Sequence, residues 1–195
     1  MTRSATTKRQ TLETNIQIKV NLDGKGKYDI DTGIGFLNHM LELFSKHSLI
    51  NLTVKATGDL WVDEHHTAED IGLALGAALR KALGDKKGIQ RYGFTVPMDE
   101  TLADVVIDLS GRPYLVWNAK FKREKIGDLP TELLEHFFKS LADGLSANIH
   151  VNLRYGSNEH HKAEAIFKAF ARALRFAVSK DPRAKTMIPS TKGKI

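Results

Sequence analysis

The chain contains no cysteine. That excludes a disulfide framework, a thiol nucleophile, an iron–sulfur cluster and a thiolate zinc site, so any metal must be held by His, Asp or Glu. No apolar run approaches the roughly 18 residues of a membrane-spanning helix, which predicts no membrane partner. Behind the basic, polar opening MTRSATTKRQ there is no apolar segment of the kind a secretory signal uses, so a cytoplasmic, reducing compartment is expected. The basic residues are not clustered either. The formal charge is +6 from 29 Lys and Arg against 23 Asp and Glu, and their scatter suits a small phosphorylated substrate as well as it suits nucleic acid. What is present is 195 residues, 42% hydrophobic and 27% charged, enough for a sizeable core in one domain or two small halves.

The main feature is an internal repeat. Glu13-Thr14, followed by Ile16, Ile18, Val20, Leu22 and Gly24, matches Glu100-Thr101, followed by Val105, Ile107, Leu109 and Gly111. GFLNHMLELF around His39 parallels ELLEHFFKSL around His136, INLTVKATG parallels NIHVNLRYG, and each half then carries His-His-x-x-Glu. A period of this length is too long for a solenoid and implies a duplicated unit. Alternating and β-branched residues predict strands over 12–22 and 101–110, with glycine turns after them. Phe36, Met40, Leu43 and Phe44, like Leu133, Leu134, Phe137, Phe138 and Leu141, have helical spacing, and so do 66–83 and 161–178. The small residues Gly72, Ala74, Gly76 and Ala77 predict close packing. Each half therefore reads as an antiparallel or mixed sheet with two helices on one face, an α+β arrangement. The expected divisions are 1–88, 89–180 and a polar tail over 181–195.

On a helix, His65 and Glu69 share a face, as do His66 and Glu69, and the same holds for His160, His161 and Glu164. A single such motif is more often an exposed cap or ion-pair feature than a ligand set. With His39 and His136, however, six of the eight histidines fall into the repeat, which suits two ions, each with three imidazoles and one carboxylate. Which histidine joins which ion is left open. Nitrogen and oxygen ligands without sulfur favour Mn, Fe, Co, Ni or Zn over Ca or Mg. His47 and His150 lie outside the matched set, although His47, beyond His39 on its helix, is within reach of a ligand. Lys168 shares the helix face of His160 and Glu164, and Arg91, Arg112 and Ser190-Thr191-Lys192 are further anion candidates, each weak alone. Glu13, Asp99 and Glu100 are candidates for proton transfer. Asp63, Glu64 and Asp70 are candidate acceptors for imidazole N–H groups.

DTGIGFLNHML, GDLWVDEHHTAEDIG, VPMDETLADVVIDLSGRPY, ELLEHFFKSLA, NEHHKAEAIFKAFARALR and the terminal PSTKG together resemble the imidazoleglycerol-phosphate dehydratase family of histidine biosynthesis, over nearly the whole chain. Trp61 stands where a His is common in that family and Ser48 where a Gly is common. No DxDGT-like motif precedes Glu13, so a monofunctional member is expected. The resemblance implies two tandem units similar to the second domain of ribosomal protein S5, a homo-oligomer of 24 subunits with shared active sites, and two Mn2+ per active site. It implies metal ligands His39, His65, His66, Glu69, His136, His160, His161 and Glu164. Substrate contacts would be Glu13, His39, His65, Glu69, Arg91, Arg112, His160, Lys168, Ser190, Thr191 and Lys192, with Arg91, Arg112, Lys168, Ser190 and Lys192 around the phosphate. The carboxylates at the chemistry would be Glu13, Glu69 and Glu164. The tail would close over the phosphate, and neither nucleic acid nor membrane is an expected partner. The implied reaction converts imidazoleglycerol phosphate to imidazoleacetol phosphate and water. The metals hold the ring as imidazolate, the ring expels the adjacent hydroxyl to leave a diazafulvene-like intermediate, and Glu13 removes the neighbouring carbon-bound proton. A metal-dependent phosphoester hydrolase and a non-catalytic metal-binding protein are the alternatives.

Overall fold

The computed structural model describes residues 3–93 and 95–195. The first half runs β1 (Ser4–Gln10), β2 (Thr14–Asn21), β3 (Tyr28–Asp31), α1 (Gly35–Ser48), β4 (Asn51–Gly58) and α2 (His65–Leu83). The second runs β5 (Thr95–Met98), β6 (Thr101–Asp108), β7 (Tyr114–Asn118), β8 (Lys125–Ile126), β9 (Leu129–Pro130), α3 (Glu132–Leu145), β10 (Asn148–Tyr155) and α4 (Glu159–Ala177). The expected strands and helices are present, and where bounds were expected the ends differ by at most two residues, as end fraying allows.

Each half builds a four-stranded mixed sheet, in the order β1-β2-β4-β3 and β5-β6-β10-β7. In both, the last-placed strand runs parallel to its neighbour, β3 on β4 and β7 on β10, while the other pairs are antiparallel. The alternation that predicted strands puts Thr14, Ile16, Ile18 and Val20 inside on β2, and Thr101, Ala103, Val105 and Ile107 inside on β6. A register shift between Leu153 and Tyr155 interrupts β10 just before it leads into α4.

The helices of one half pack on those of the other. Sheet β1–β4 carries α1 and α2, sheet β5–β10 carries α3 and α4, and the helix layers meet with α1 against α4 and α2 against α3. Exchanging the halves maps one helix pair onto the other, so the duplication gives the fold an approximate two-fold relation. At the α2–α3 crossing, a Cβ on Gly72 would lie 2.7 Å from the Phe137 carbonyl oxygen, and one on Gly76 would lie 2.5 Å from that of Leu141. The glycines are what let the two backbones approach. At the α1–α4 crossing, the Phe44 and Phe170 rings stack at 5.6 Å. The buried side chains form one continuous core.

Residues 181–195 contain no helix or strand but are held against their own chain. Gly88 donates to the Met187 carbonyl at 2.9 Å and accepts from the Asp181 amide at 2.8 Å. Arg91 Nη1 donates to the Pro189 carbonyl at 2.8 Å, and Gly111 lies against Ile195.

Candidate metal centre

Both His-His motifs open a helix, and a side chain before each helix holds its first amides. Asp63 accepts from the His65 amide at 2.8 Å. Asn158, at the matching position before α4, accepts from the His160 and His161 amides at 2.9 and 3.3 Å. These caps satisfy donors that the helix itself leaves unpaired, and they fix where each imidazole starts. Asp63 therefore serves the backbone rather than an imidazole. Asp70 does not accept from a histidine either. Its oxygens take Arg9 Nε at 2.6 Å and the Thr14 hydroxyl at 2.5 Å, tying β1 and β2 to α2. Glu64 lies 3.3 Å from Lys125 Nζ.

The helix pairing decides which histidines meet. His39 on α1 joins His160 and Glu164 on α4: Glu164 Oε1 lies 2.9 Å from His39 Nε2 and 3.3 Å from His160 Nε2. One donor atom from each of the three lies within 4.8 Å of the others, the one such trio among the described residues. At the equivalent place His65 and Glu69 on α2 meet His136 on α3. There the His65–Glu69 separation is 3.4 Å and the His65 and His136 ring centres are 4.8 Å apart. Each cluster thus takes one histidine from one half and a His–Glu pair from the other. Lys168 Nζ donates to Glu164 Oε2 at 2.7 Å. Burial pushes the Glu164 carboxyl up, but the Lys168 and His39 hydrogen bonds outweigh it and bring it down to about 2, so Glu164 is an anion at any working pH. His47 stands among Lys168 and Arg172, and burial together with those cations pushes its imidazole down.

The second histidine of each motif turns away from its cluster and rests on a carboxylate. His66 Nδ1 lies 3.0 Å from Asp59 Oδ2, and His161 Nδ1 lies 2.8 Å from Glu100 Oε2. The hydrogen bond to Asp59 raises the His66 imidazole, and that to Glu100 raises His161. A neutral imidazole donating from Nδ1 keeps its lone pair on Nε2, the arrangement that carboxylates impose on metal-binding histidines. Asp59 was not singled out in the sequence; its one signal is the turn it begins, in which the Val62 amide donates to its carbonyl at 2.8 Å.

Glu13 and Glu100 are repeat-related but do different work. Glu100 also accepts from the Asn158 amide at 2.9 Å and the Ser157 amide at 3.2 Å. With His161 first among its partners, it is held far below the usual carboxylate range. In the first half Asp59 has the orienting task. Glu13 is left half-exposed, with Oε1 3.8 Å from the Nε2 edge of His66.

The expected phosphate contacts separate into two groups. Lys168 is at the α1–α4 cluster. Arg91 is bound through Nε and Nη2 to Asp108 at 2.5 and 2.9 Å, and Asp108 with the tail residue Pro189 fixes its guanidinium. The Arg91 amide donates to the carbonyl of Ala177, at the far end of α4. From Glu164 to Ala177 the helix rises about 20 Å. Arg112, whose carbonyl accepts from Asn148 at the start of β10, is likewise one strand length from the end that leads to His160. Ser190, Thr191 and Lys192 follow Pro189 in the tail.

Fold and site together define a duplicated α+β protein with two related histidine–carboxylate clusters, of which the His39–His160–Glu164 trio has its donor atoms placed as a metal ion needs. The family model of imidazoleglycerol-phosphate dehydratase matches residues 32–174. The imidazoleglycerol-phosphate dehydratase of Granulibacter bethesdensis is 55% identical over 100% of both chains. The histidine biosynthesis bifunctional protein HisB of Spirosoma linguale is 57% identical over 98% of this chain, which spans 50% of that longer protein. Among solved structures, the imidazoleglycerol-phosphate dehydratase of Staphylococcus aureus superposes with a TM-score of 0.83 at 44% identity, covering 91% of this chain and 99% of that one. The chain belongs to the imidazoleglycerol-phosphate dehydratase family, the hydro-lyases of histidine biosynthesis.

Proposed function

We propose that the chain removes water from imidazoleglycerol phosphate in a site assembled by neighbouring copies, with each histidine–carboxylate cluster holding one divalent transition ion, two Mn2+ per site. The observation that carries this reading is the convergence of His39, His160 and Glu164, whose donor atoms lie within 4.8 Å of one another. Two imidazole nitrogens and an ionised carboxylate fit such an ion and leave positions for further ligands. His39, His160 and Glu164 would hold the ion, which when bound would supply Lewis-acid polarisation of the substrate's azole ring and ease loss of the hydroxyl beside it.

The remaining roles fall to side chains. Lys168 keeps Glu164 ionised and in place. Glu13 removes the proton from the carbon next to the one losing hydroxide, and the resulting enol rearranges to the ketone imidazoleacetol phosphate. Glu13 suits this because its half-exposed carboxylate has only His66 beside it, at 3.8 Å, among the described residues, whereas Glu100 is committed. Arg112, Ser190, Thr191 and Lys192, with Arg91 holding the tail beside them, bind the phosphate and fix the ring relative to the ions.

Assembly between copies follows from distance. The roughly 20 Å rise of α4 between Glu164 and the end held by Arg91 is longer than a triose phosphate carrying an imidazole, which supports taking the cluster and the phosphate-binding group from different copies. His66 and His161 fit the same arrangement, as third imidazoles directed outward to a neighbour's ion. The rim beside Glu13 fits it too: Leu12 is 107% exposed and Trp61 86%, apolar surface that a neighbouring copy would cover. Co-expression tests this. Arg112→Ala and Glu164→Gln are each expected to be inactive alone, and mixed oligomers of the two are expected to regain dehydration. Mixed oligomers that stay inactive would contradict a shared site.

A further inference from the structure

The two halves differ most between the parallel strand and the helix that follows it. Residues 32–34 join β3 to α1, whereas residues 119–131, including the β8–β9 hairpin, join β7 to α3. The insert is anchored: Ile126 and Leu129 are buried, and Lys125–Ile126 pairs with Leu129–Pro130.

It reaches the start of both helices that form the α1–α4 cluster. The residue preceding α1 is Ile34, which has no capping group. The cap comes from the other half of the chain: Asp128 Oδ2 accepts from the Gly35 amide at 2.5 Å and Oδ1 from the Phe36 amide at 2.8 Å. Gly127, at φ 60°, sits over Phe36, where a Cβ would come within 3.3 Å. The Phe36 ring in turn meets the His160 ring edge-on at 5.3 Å and lies 6.4 Å from that of His39. At α4, buried Glu159, the residue before His160, accepts from the Lys122 amide at 2.7 Å and from Lys162 Nζ at 2.5 Å.

Two packed helices slide along each other more readily than they separate, and a slide of α1 on α4 would move His39 away from His160 and Glu164. Fastening both helix starts to one short loop removes that freedom. We infer that the 119–131 insert is a positioning clamp for the His39–His160–Glu164 cluster and that Asp128, whose carboxylate is taken up by the Gly35 and Phe36 amides, is its positioning residue. This rests on the reading of that cluster as a metal site.

The test is titration of metal-stripped full-length protein with Mn2+, followed by the paramagnetic resonance of the free ion, alongside amide hydrogen exchange. Wild type is expected to bind two ions per chain. Asp128→Ala is expected to weaken one of them about 10- to 100-fold, as loss of a ligand-orienting partner does, and to leave the other, at His65, Glu69 and His136, unchanged. Exchange is expected to speed up in the first turn of α1 and not in α3. Asp128→Asn, which keeps an acceptor oxygen, is expected to recover part of the affinity and guards against a misfolded alanine variant. Equal weakening of both ions, or two ions bound with wild-type affinity in Asp128→Ala, would overturn the clamp while leaving the metal site standing. A wild-type chain that binds no Mn2+ would remove the site, and the clamp with it.

Discussion

At the residue scale, the consequential contrast is between Glu13 and Glu100, which occupy matching places in the two halves. Glu100 is spent on His161 and on the Ser157 and Asn158 amides just before α4, and Asp59 frees Glu13 from the equivalent task. Glu13→Gln is therefore expected to lower kcat by about 10²- to 10⁴-fold, the range of a lost general base, with metal content by elemental analysis unchanged. The histidine–carboxylate pairs also set a pH dependence for the metal-free protein. Raised imidazoles at His66 and His161 stabilise the fold below the unfolded histidine pKa of about 6.5, and this is lost as pH rises through their folded values. The depressed carboxyl of Glu100 stabilises above an unfolded value of about 4.3, and this is lost as pH falls. The contribution therefore peaks between those limits, and thermal melts from pH 4 to 8 are expected to show a flatter profile for Glu100→Gln than for wild type. The eight repeated side chains proposed as ligands stand out in the sequence because duplication marks them twice. Asp59 was not, because its partnership exists only once the turn after β4 has folded.

At the scale of elements, strands and helices were legible from period-2 and helical spacing, and the run of small residues on α2 correctly announced a close contact. The partner of that contact was not legible. Periodicity says which face of a helix is apolar but not that α2 meets α3 while α1 meets α4, and this crossing is what sorts the histidines into clusters. A methyl group at Gly76 would push directly on the α3 backbone, which cannot step aside as a flexible side chain can. Gly76→Ala is therefore expected to destabilise the fold by about 1–3 kcal/mol, the usual cost of overpacking, although alanine is the better helix former. Urea unfolding measures the difference; a neutral or stabilising substitution would show that the helices are free to move apart. The capping of α1 by Asp128 was equally hidden, since no local pattern links a carboxylate in one half to a helix start in the other.

At the scale of the whole molecule, duplication supplies two pseudo-equivalent clusters, and the length of α4 separates the α1–α4 cluster from Arg91, which lies at the far end of that helix. The sequence placed Lys168 with Arg91, Arg112 and the tail in one set. The fold puts Lys168 at one end of α4 and Arg91 at the other, a separation no spacing argument reveals, because it depends on which way β6 and α4 run past each other. On the proposed reading, a single chain carries complementary parts of sites rather than a whole one, and the chemistry turns on the ions the clusters would hold. The most direct measurement is dehydration of imidazoleglycerol phosphate by protein of known metal content, assayed before stripping with a chelator, after stripping, and after return of Mn2+. The account predicts two ions per chain, loss of turnover as they are removed and recovery as they are restored; undiminished turnover by protein free of transition metal would contradict it.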